Sequence, residues 1–348
     1  MPGGVLPHVF AKEIRQGTTM RRFKNILLVC DPQSVHEDLI GRAIWLAKTN
    51  EARLTLVDVV DTAPGELAKL FASLSATQGR EIEYEVMEFH RARLAEVAAP
   101  IKSEGVPTTE VVLQGIPFVE IIRKVLRDGH DLIMKGAAGE SEGKSLFFAS
   151  TDLHLLRKCP CPVWVMKRSA DRRYARVLAA VDPDPRDDQR DALNTLIMDL
   201  ATSLSEREGS ELLIANAWML SEENSMRHSA FARVPKAEID RLVEERRKQS
   251  SRRLDQLLLR YADKHDGRQV HHLKGEARQI IPEFAEDHRV DLIVMGTVGR
   301  TGVRGLIIGN TAEAILNQVE CSVLAVKPPG FETPVRLEAT PQPALSDA

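Results

Sequence analysis

The residues best suited to chemistry lie in the stretch Met295-GTVGRTGVRGLIIGNT-Ala312. Gly296, Gly299 and Gly309 bracket a long loop that opens where an apolar run ends and closes at a helical pattern, AEAILNQV. Gly296 and Gly299 would let the backbone approach a ligand with no Cβ in the way. Gly309, Asn310 and Thr311 would point N–H groups out of a helix start, where phosphate oxygens are favoured. Asn310 with Glu313 also reads as a capping box. The same glycines would serve equally well to shape a helix-entry turn, because glycine loops are weak signals.

Asp182, Asp184, Asp187 and Asp188 follow the run ARVLAAVDP. They could hold Mg²⁺ through one or two oxygens, although a solvated turn leading into an acidic helix start is the simpler reading. Earlier in the chain a related loop, GAAGESEGKSLFFASTD, keeps Gly136 and Gly139 but has Ala149 where the third glycine belongs. Its Asp152 would satisfy the helix dipole itself and repel a phosphate. GESEGKS ends like a phosphate-binding Walker loop, yet Gly139 and Gly143 are separated by three residues where that loop needs four. No SGGxDS or HxGH pattern is present, and although GESEG (139–143) has the letters of GxSxG, no nucleophile elbow is read there. Binding and regulation are therefore expected rather than an enzyme; slow ATP turnover through positioning and a metal is the catalytic alternative.

The elements that must position these residues come twice. KNILLVCDP (24–32) returns as ARVLAAVDP (175–183), and GIPFVEIIRKVLRDGHDLIMKG (115–136) as GEARQIIPEFAEDHRVDLIVMG (275–296). TDLHLLRKCPCPVWVMK (151–167) returns as TAEAILNQVECSVLAVK (311–327). Each copy alternates short runs, apolar on both faces, with amphipathic stretches, the signature of a parallel sheet covered on both sides. Strands are expected near 26–30, 54–59, 110–113, 132–135 and 163–166, then near 176–181, 211–217, 269–273, 291–295 and 322–326. Helices are expected near 34–50, 79–104, 116–129 and 151–158, then near 187–208, 234–265, 277–288 and 311–319. The fold class is α/β, two tandem doubly wound (Rossmann-like) five-stranded parallel sheets. Ligands of such sheets bind at the carboxyl ends of strands where strand order reverses. That places Asp31 with Gly136, and Asp182 with Gly296, beside two crevices.

Length, at 348 residues, suits two domains. The expected limits are an N-terminal extension over 1–21, a first domain over 22–168, a second over 175–327 and a flexible tail over 328–348. Hydrophobic content of 43% and charged content of 28% are those of a globular protein. A net charge of −3 gives no reason to expect nucleic acid. No apolar run reaches the roughly 18–20 residues of a membrane span, and the N-terminus lacks the order of a secretory signal, so the expected compartment is cytoplasmic. The four cysteines fit a structural reading: CPC is not the CxxC spacing, and Cys161 and Cys321 match within the repeat. His271 and His272, as strand neighbours, should face opposite ways.

GTVGRTGVRGLIIGNTAEAIL resembles the G-2x-G-9x-G-(S/T/N) nucleotide motif of the universal stress protein family. AAVDP resembles that family's first strand and its Asp, and VECSVLAVKPP its last strand. The resemblance covers about residues 22–327, and the tandem arrangement is similar to the UspE-type members. It implies a cytoplasmic stress-response protein that binds ATP or another adenine nucleotide, with Mg²⁺ an optional companion. In the family the first-strand Asp and adjacent backbone contact adenine, and the glycine loop holds ribose and phosphates. Carried over by position, this implicates Asp182, Pro183, Met295, Gly296, Gly299, Gly309, Asn310 and Thr311. Asp31, Gly136, Gly139, Ser150 and Thr151 mark the degenerate first site. The family's domains pair through their last strands, so 163–167 and 322–327 are expected to pair within one chain, with a further homodimer left open. The alternative reading is a non-nucleotide scaffold or carrier that takes an amphipathic ligand in the first crevice, beside Phe147 and Phe148.

Overall fold

Short apolar strands buried on both faces shape the molecule. In the computed structural model, residues 23–32, 34–61, 76–137, 150–168, 173–184, 187–228, 234–262, 269–297 and 309–337 are described. The first half runs β1 (Asn25–Val29), α1 (Glu37–Asn50), β2 (Arg53–Asp61), α2 (Ala76–Ser103), β3 (Thr108–Gly115), α3 (Pro117–Asp128), β4 (Leu132–Gly136), α4 (Ser150–Lys158) and β5 (Val163–Met166). The second runs β6 (Arg176–Ala180), α5 (Asp188–Glu208), β7 (Glu211–Trp218), α6 (Glu223–His228), α7 (Lys236–Leu258), β8 (Val270–Lys274), α8 (Ala277–Asp287), β9 (Leu292–Gly296), α9 (Asn310–Leu316) and β10 (Ser322–Val326). A 3-10 turn, Leu259–Tyr261, ends α7, where a longer helix was expected. The short α6, polar and without a buried residue, has no periodicity to announce it.

Strand order is β3-β2-β1-β4-β5-β10-β9-β6-β7-β8 in a single ten-stranded sheet. Neighbours are parallel except β5 and β10, which run antiparallel with Val163 opposite Ala325 and Val165 opposite Val323. The expected pairing of the last strands is thus present, and it fuses two doubly wound sheets into one. Order reverses between β1 and β4 and again between β6 and β9. Ile26, Leu28 and Cys30 pack with α1 and α2 on one face, while Leu27 and Val29 pack with α3 and α4 on the other. The second half repeats this, with α5 and α7 on the first face and α8 and α9 on the other. Asp131 accepts from the Lys24 and Asn25 amides, and its counterpart Asp291 accepts from those of Ala175 and Arg176. The same carboxylate therefore tethers the start of the first strand in each half. His271 faces Phe284 and His288 on α8, whereas His272 faces Trp218 and the Ser250 hydroxyl of α7, the opposed directions that strand geometry dictates.

Both helical layers lock the halves. On one face Arg42 of α1 pairs with Glu208 at the end of α5, both buried. The Arg42 guanidinium lies 3.8 Å from the Tyr174 ring centroid and 5.7 Å from that of Trp164. On the other face Arg157 of α4 pairs with Glu313 of α9. Lys167 donates to the Val319 carbonyl at 2.7 Å and Lys327 to the Leu156 carbonyl. Lys327 thus serves a carbonyl in the last turn of α4, where the dipole favours a cation, and Lys167 serves one just past α9.

Candidate functional site

The second crevice is built where β6 and β9 leave the sheet. Val181 carries the chain out of β6, its carbonyl held at 2.9 Å by the Asn216 amide. Asp182 follows with its backbone clamped from both sides by Asn194 of α5: the Asp182 N–H donates to Oδ1 at 2.8 Å, and Nδ2 donates to the Asp182 carbonyl at 3.0 Å. The carboxylate itself is left half exposed, and Pro183 is buried. Opposite, Met295 is buried, and a Cβ added to Gly296 would lie 2.7 Å from the Leu193 Cδ2. Glycine there admits a side-chain tip of α5, a soft neighbour. Thr297, fully buried, accepts the Gly309 N–H on its carbonyl at 3.0 Å, which closes the base of the loop. Gly309 therefore sits at the exit of β9, with Asn310 and Thr311 following it in the first turn of α9. Gly299 lies outside the described residues.

Gly309 rather than Asn310 occupies the cap position of α9, and no side chain caps it. The capping box is not formed: Asn310 lies inside the helix, and Glu313 reaches across the seam to Arg157 instead of back to the helix start. The acidic cluster also differs from a bare cation cradle. Asp187 caps α5 by accepting from the Arg190 N–H at 3.1 Å. Arg190 stands among the carboxylates, 3.8 Å from Asp182, 3.6 Å from Asp184 and 3.9 Å from Asp187. Arg253 adds a second guanidinium 3.4 Å from Asp184. Two guanidiniums offset part of the charge of the four carboxylates, which reduces the cluster's field for Mg²⁺.

The first crevice has the same architecture and different contents. Lys135 at the end of β4 is buried, as is Asp152 in the first turn of α4, and they pair at 2.8 Å. The Lys135 ammonium also donates to the Gly136 carbonyl at 3.0 Å and the Ser34 hydroxyl at 3.3 Å, with Asp31 3.8 Å away. A Cβ on Gly136 would stand 1.8 Å from the Ser34 carbonyl oxygen. Here backbone, not a side-chain tip, sits on the glycine, so the turn after β1 closes over the exit of β4. Ser150 and Thr151 begin α4, and Gly139, Phe147 and Phe148 lie outside the described residues. In register with the second half, Lys135 corresponds to Met295 and Asp152 to Ala312. The two substitutions form one device, an internal ion pair where the other half has none. Sequence reasoning saw Asp152 alone; reading the repeat position by position would have exposed its partner.

Lys327 also escaped the sequence reading. It is buried, donates to the Leu156 carbonyl and the Thr297 hydroxyl, and among the described residues has no carboxylate within ion-pair reach. Burial accordingly lowers its ammonium to about 7. The cysteines are unpaired, and burial raises the thiols of Cys30 and Cys161, with Cys321 pushed up to about 12. Such thiols are poor nucleophiles, in keeping with a structural role.

Comparison with known proteins accords with this geometry. The sequence profile described as the universal stress protein family matches residues 22–167 and again 173–327. Universal stress protein E of Escherichia coli K12 is 29% identical over 321 residues, covering 92% of this chain and 98% of that protein. Its Haemophilus influenzae homologue is 26% identical, with 88% and 98% covered. Among solved structures, a functionally unknown protein from Pseudomonas aeruginosa superposes with a TM-score of 0.67 at 24% identity, covering 88% of this chain and 94% of its own. A universal stress protein from Archaeoglobus fulgidus gives 0.61 at 18%, with 89% and 98% covered. Those two likenesses speak to the fold. With that profile matched over residues 22–167 and 173–327, the chain belongs to the universal stress protein family, as a member with two such domains in tandem.

Proposed function

We propose that this stress-response protein binds an adenine nucleotide of the ATP type in its second half and works by binding rather than catalysis, in the cytoplasm. The observation that carries the reading is the contrast between the crevices. In the first, the Lys135–Asp152 pair and the Ser34 carbonyl already occupy the strand exits. In the second, the same positions are Met295 and Ala312, and the exits are bordered by the Leu193 side chain. An anionic ligand entering the first crevice would have to dislodge a buried ion pair, and an apolar one would strand its charges. That argument also weighs against an amphipathic ligand there. In the second crevice Asp182 and the Pro183 backbone would face the base, and Gly296, Gly299, Gly309, Asn310 and Thr311 the ribose and phosphates. Arg190 and Arg253 stand beside Asp184, which lowers the field there for Mg²⁺.

Titration calorimetry of ATP and AMP, with mass spectrometry of small molecules released on denaturation, tests the reading. Micromolar binding that Gly309→Val abolishes, while circular dichroism is unchanged, is the expected result. Equal affinity in that variant would remove the site from this loop. Turnover that disappears with the same substitution would convert the protein from a binder to an ATPase.

A further inference from the structure

The base of the second-half loop is not held by its own domain alone. Thr297, the first residue after β9, places its hydroxyl 3.1 Å from the Leu156 carbonyl of α4, a first-half helix. Lys327 donates to that carbonyl and to the Thr297 hydroxyl together. Through its own carbonyl Thr297 holds the Gly309 N–H. One residue further along α4, Arg157 pairs with Glu313 in the first turn of α9. Two independent contacts thus run from one helix of the first half to both sides of the second half's loop. At its other end the same helix carries Asp152, locked to Lys135 in the closed first crevice.

The link is one-way in construction. The counterpart of Thr297 is Ala137, which has no side-chain oxygen to offer α9. Lys167, the counterpart of Lys327, donates to the Val319 carbonyl. We infer that α4 and the base of the second-half loop form one coupled unit, so that ligand occupancy of the second crevice orders α4 and the packing of α4 sets the affinity of that crevice. The inference rests on the nucleotide reading given above. Its physical content is a short rigid helix whose carboxyl end shares hydrogen bonds with the loop base, a contiguous path through which both sites bias the same contacts. Coupling of this kind is reciprocal: whatever ATP does to α4, loosening α4 must do to ATP affinity.

Hydrogen–deuterium exchange of the full chain, read on peptides covering 153–158 with and without ATP, is the test, with calorimetry reporting binding in parallel. In the wild type ATP should slow exchange of α4 by at least about fivefold, the lower end of common coupling. Thr297→Ala should weaken ATP binding by about the same factor and, at saturating ATP, lose most of that slowing, and Thr297→Ser, which keeps the hydroxyl, should restore both. Should Thr297→Ala fail to fold, Arg157→Gln carries the same test, because that pair is partly exposed. ATP binding with α4 exchange unchanged, or slowed equally in Thr297→Ala or Arg157→Gln, would overturn the coupling and leave the nucleotide reading standing. Absence of ATP binding in the wild type would overturn both.

Discussion

Two lysines show how burial decides what a side chain is for. Lys135 is buried against Asp152, with the Ser34 hydroxyl and Gly136 carbonyl as further acceptors. Removing one member of such a pair leaves an uncompensated buried charge, whereas replacing both by apolar groups is often neutral or stabilising. Lys135→Met should therefore cost about 3–5 kcal/mol in urea unfolding, and the double change Lys135→Met with Asp152→Ala should recover most of that loss. A double variant as unstable as the single one would show that the pair contributes through packing rather than charge. Lys327 has hydrogen bonds but no carboxylate in reach among the described residues, and burial holds it near 7, against an ordinary value of 10.5. Between those values the unfolded chain binds more protons than the folded one, so this group makes stability rise with pH across that window and leaves a constant penalty below it. Lys327→Met should flatten the slope between pH 7 and about 10 and stabilise the fold near neutrality by on the order of 1–4 kcal/mol. Denaturant midpoints measured at several pH values check this; a slope identical to that of the wild type would place the proton elsewhere.

Helices and strands were largely legible because their signals are local. The alternation of apolar runs with amphipathic stretches located all ten strands to within two residues, and β5 and β10 at both ends. The expectation that these two strands would pair came from the family resemblance. Legibility failed where a feature depended on distant residues. Pro282 lies inside α8, where it cannot donate to the Arg278 carbonyl; Gln318, beyond α9, supplies that carbonyl with a hydrogen bond at 3.0 Å. Nothing near Pro282 in the chain announces that compensation. The capping box failed for a related reason: its Glu313 is spacing-compatible with Asn310, but Arg157 from the other half is the stronger partner for a carboxylate. The residues proposed for the candidate site were read from strand exits and glycine spacing, which are local, and from the family resemblance. Lys135, Thr297, Arg190 and Lys327 were not, because their meaning comes from what stands across the crevice or across the seam. The first-half change was visible in principle as a paired substitution, Lys135 for Met295 with Asp152 for Ala312.

At the scale of the whole molecule, the question is what makes two domains one body. The β5–β10 ladder has only three paired positions, a thin join for a sheet of ten strands. The remainder comes from the helical layers, and among the described ion pairs across the seam the one most removed from water is Arg42 with Glu208, enclosed by Tyr174 and Trp164. Glu208 also accepts from the Tyr174 N–H at 3.1 Å, so this carboxylate ties together α1, α5 and the chain entering β6. A pair this deeply buried gives little net stability of its own, yet breaking it is costly. It therefore acts as a constraint on how the halves dock. If that constraint makes the halves interdependent, the wild type should unfold in one calorimetric transition whose van't Hoff and calorimetric enthalpies agree. Arg42→Met should cost about 3–5 kcal/mol at the seam and separate the transition into two. Arg42→Met with Glu208→Met should return most of the stability and the single transition, because an apolar seam still excludes water between Trp164 and Tyr174. Two resolved transitions in the wild type would mean that the halves fold independently and that the seam merely orients them. A single transition that survives Arg42→Met would assign the cooperativity to the strand pair and to the α4–α9 face, where Arg157, Lys167 and Lys327 still bridge the halves.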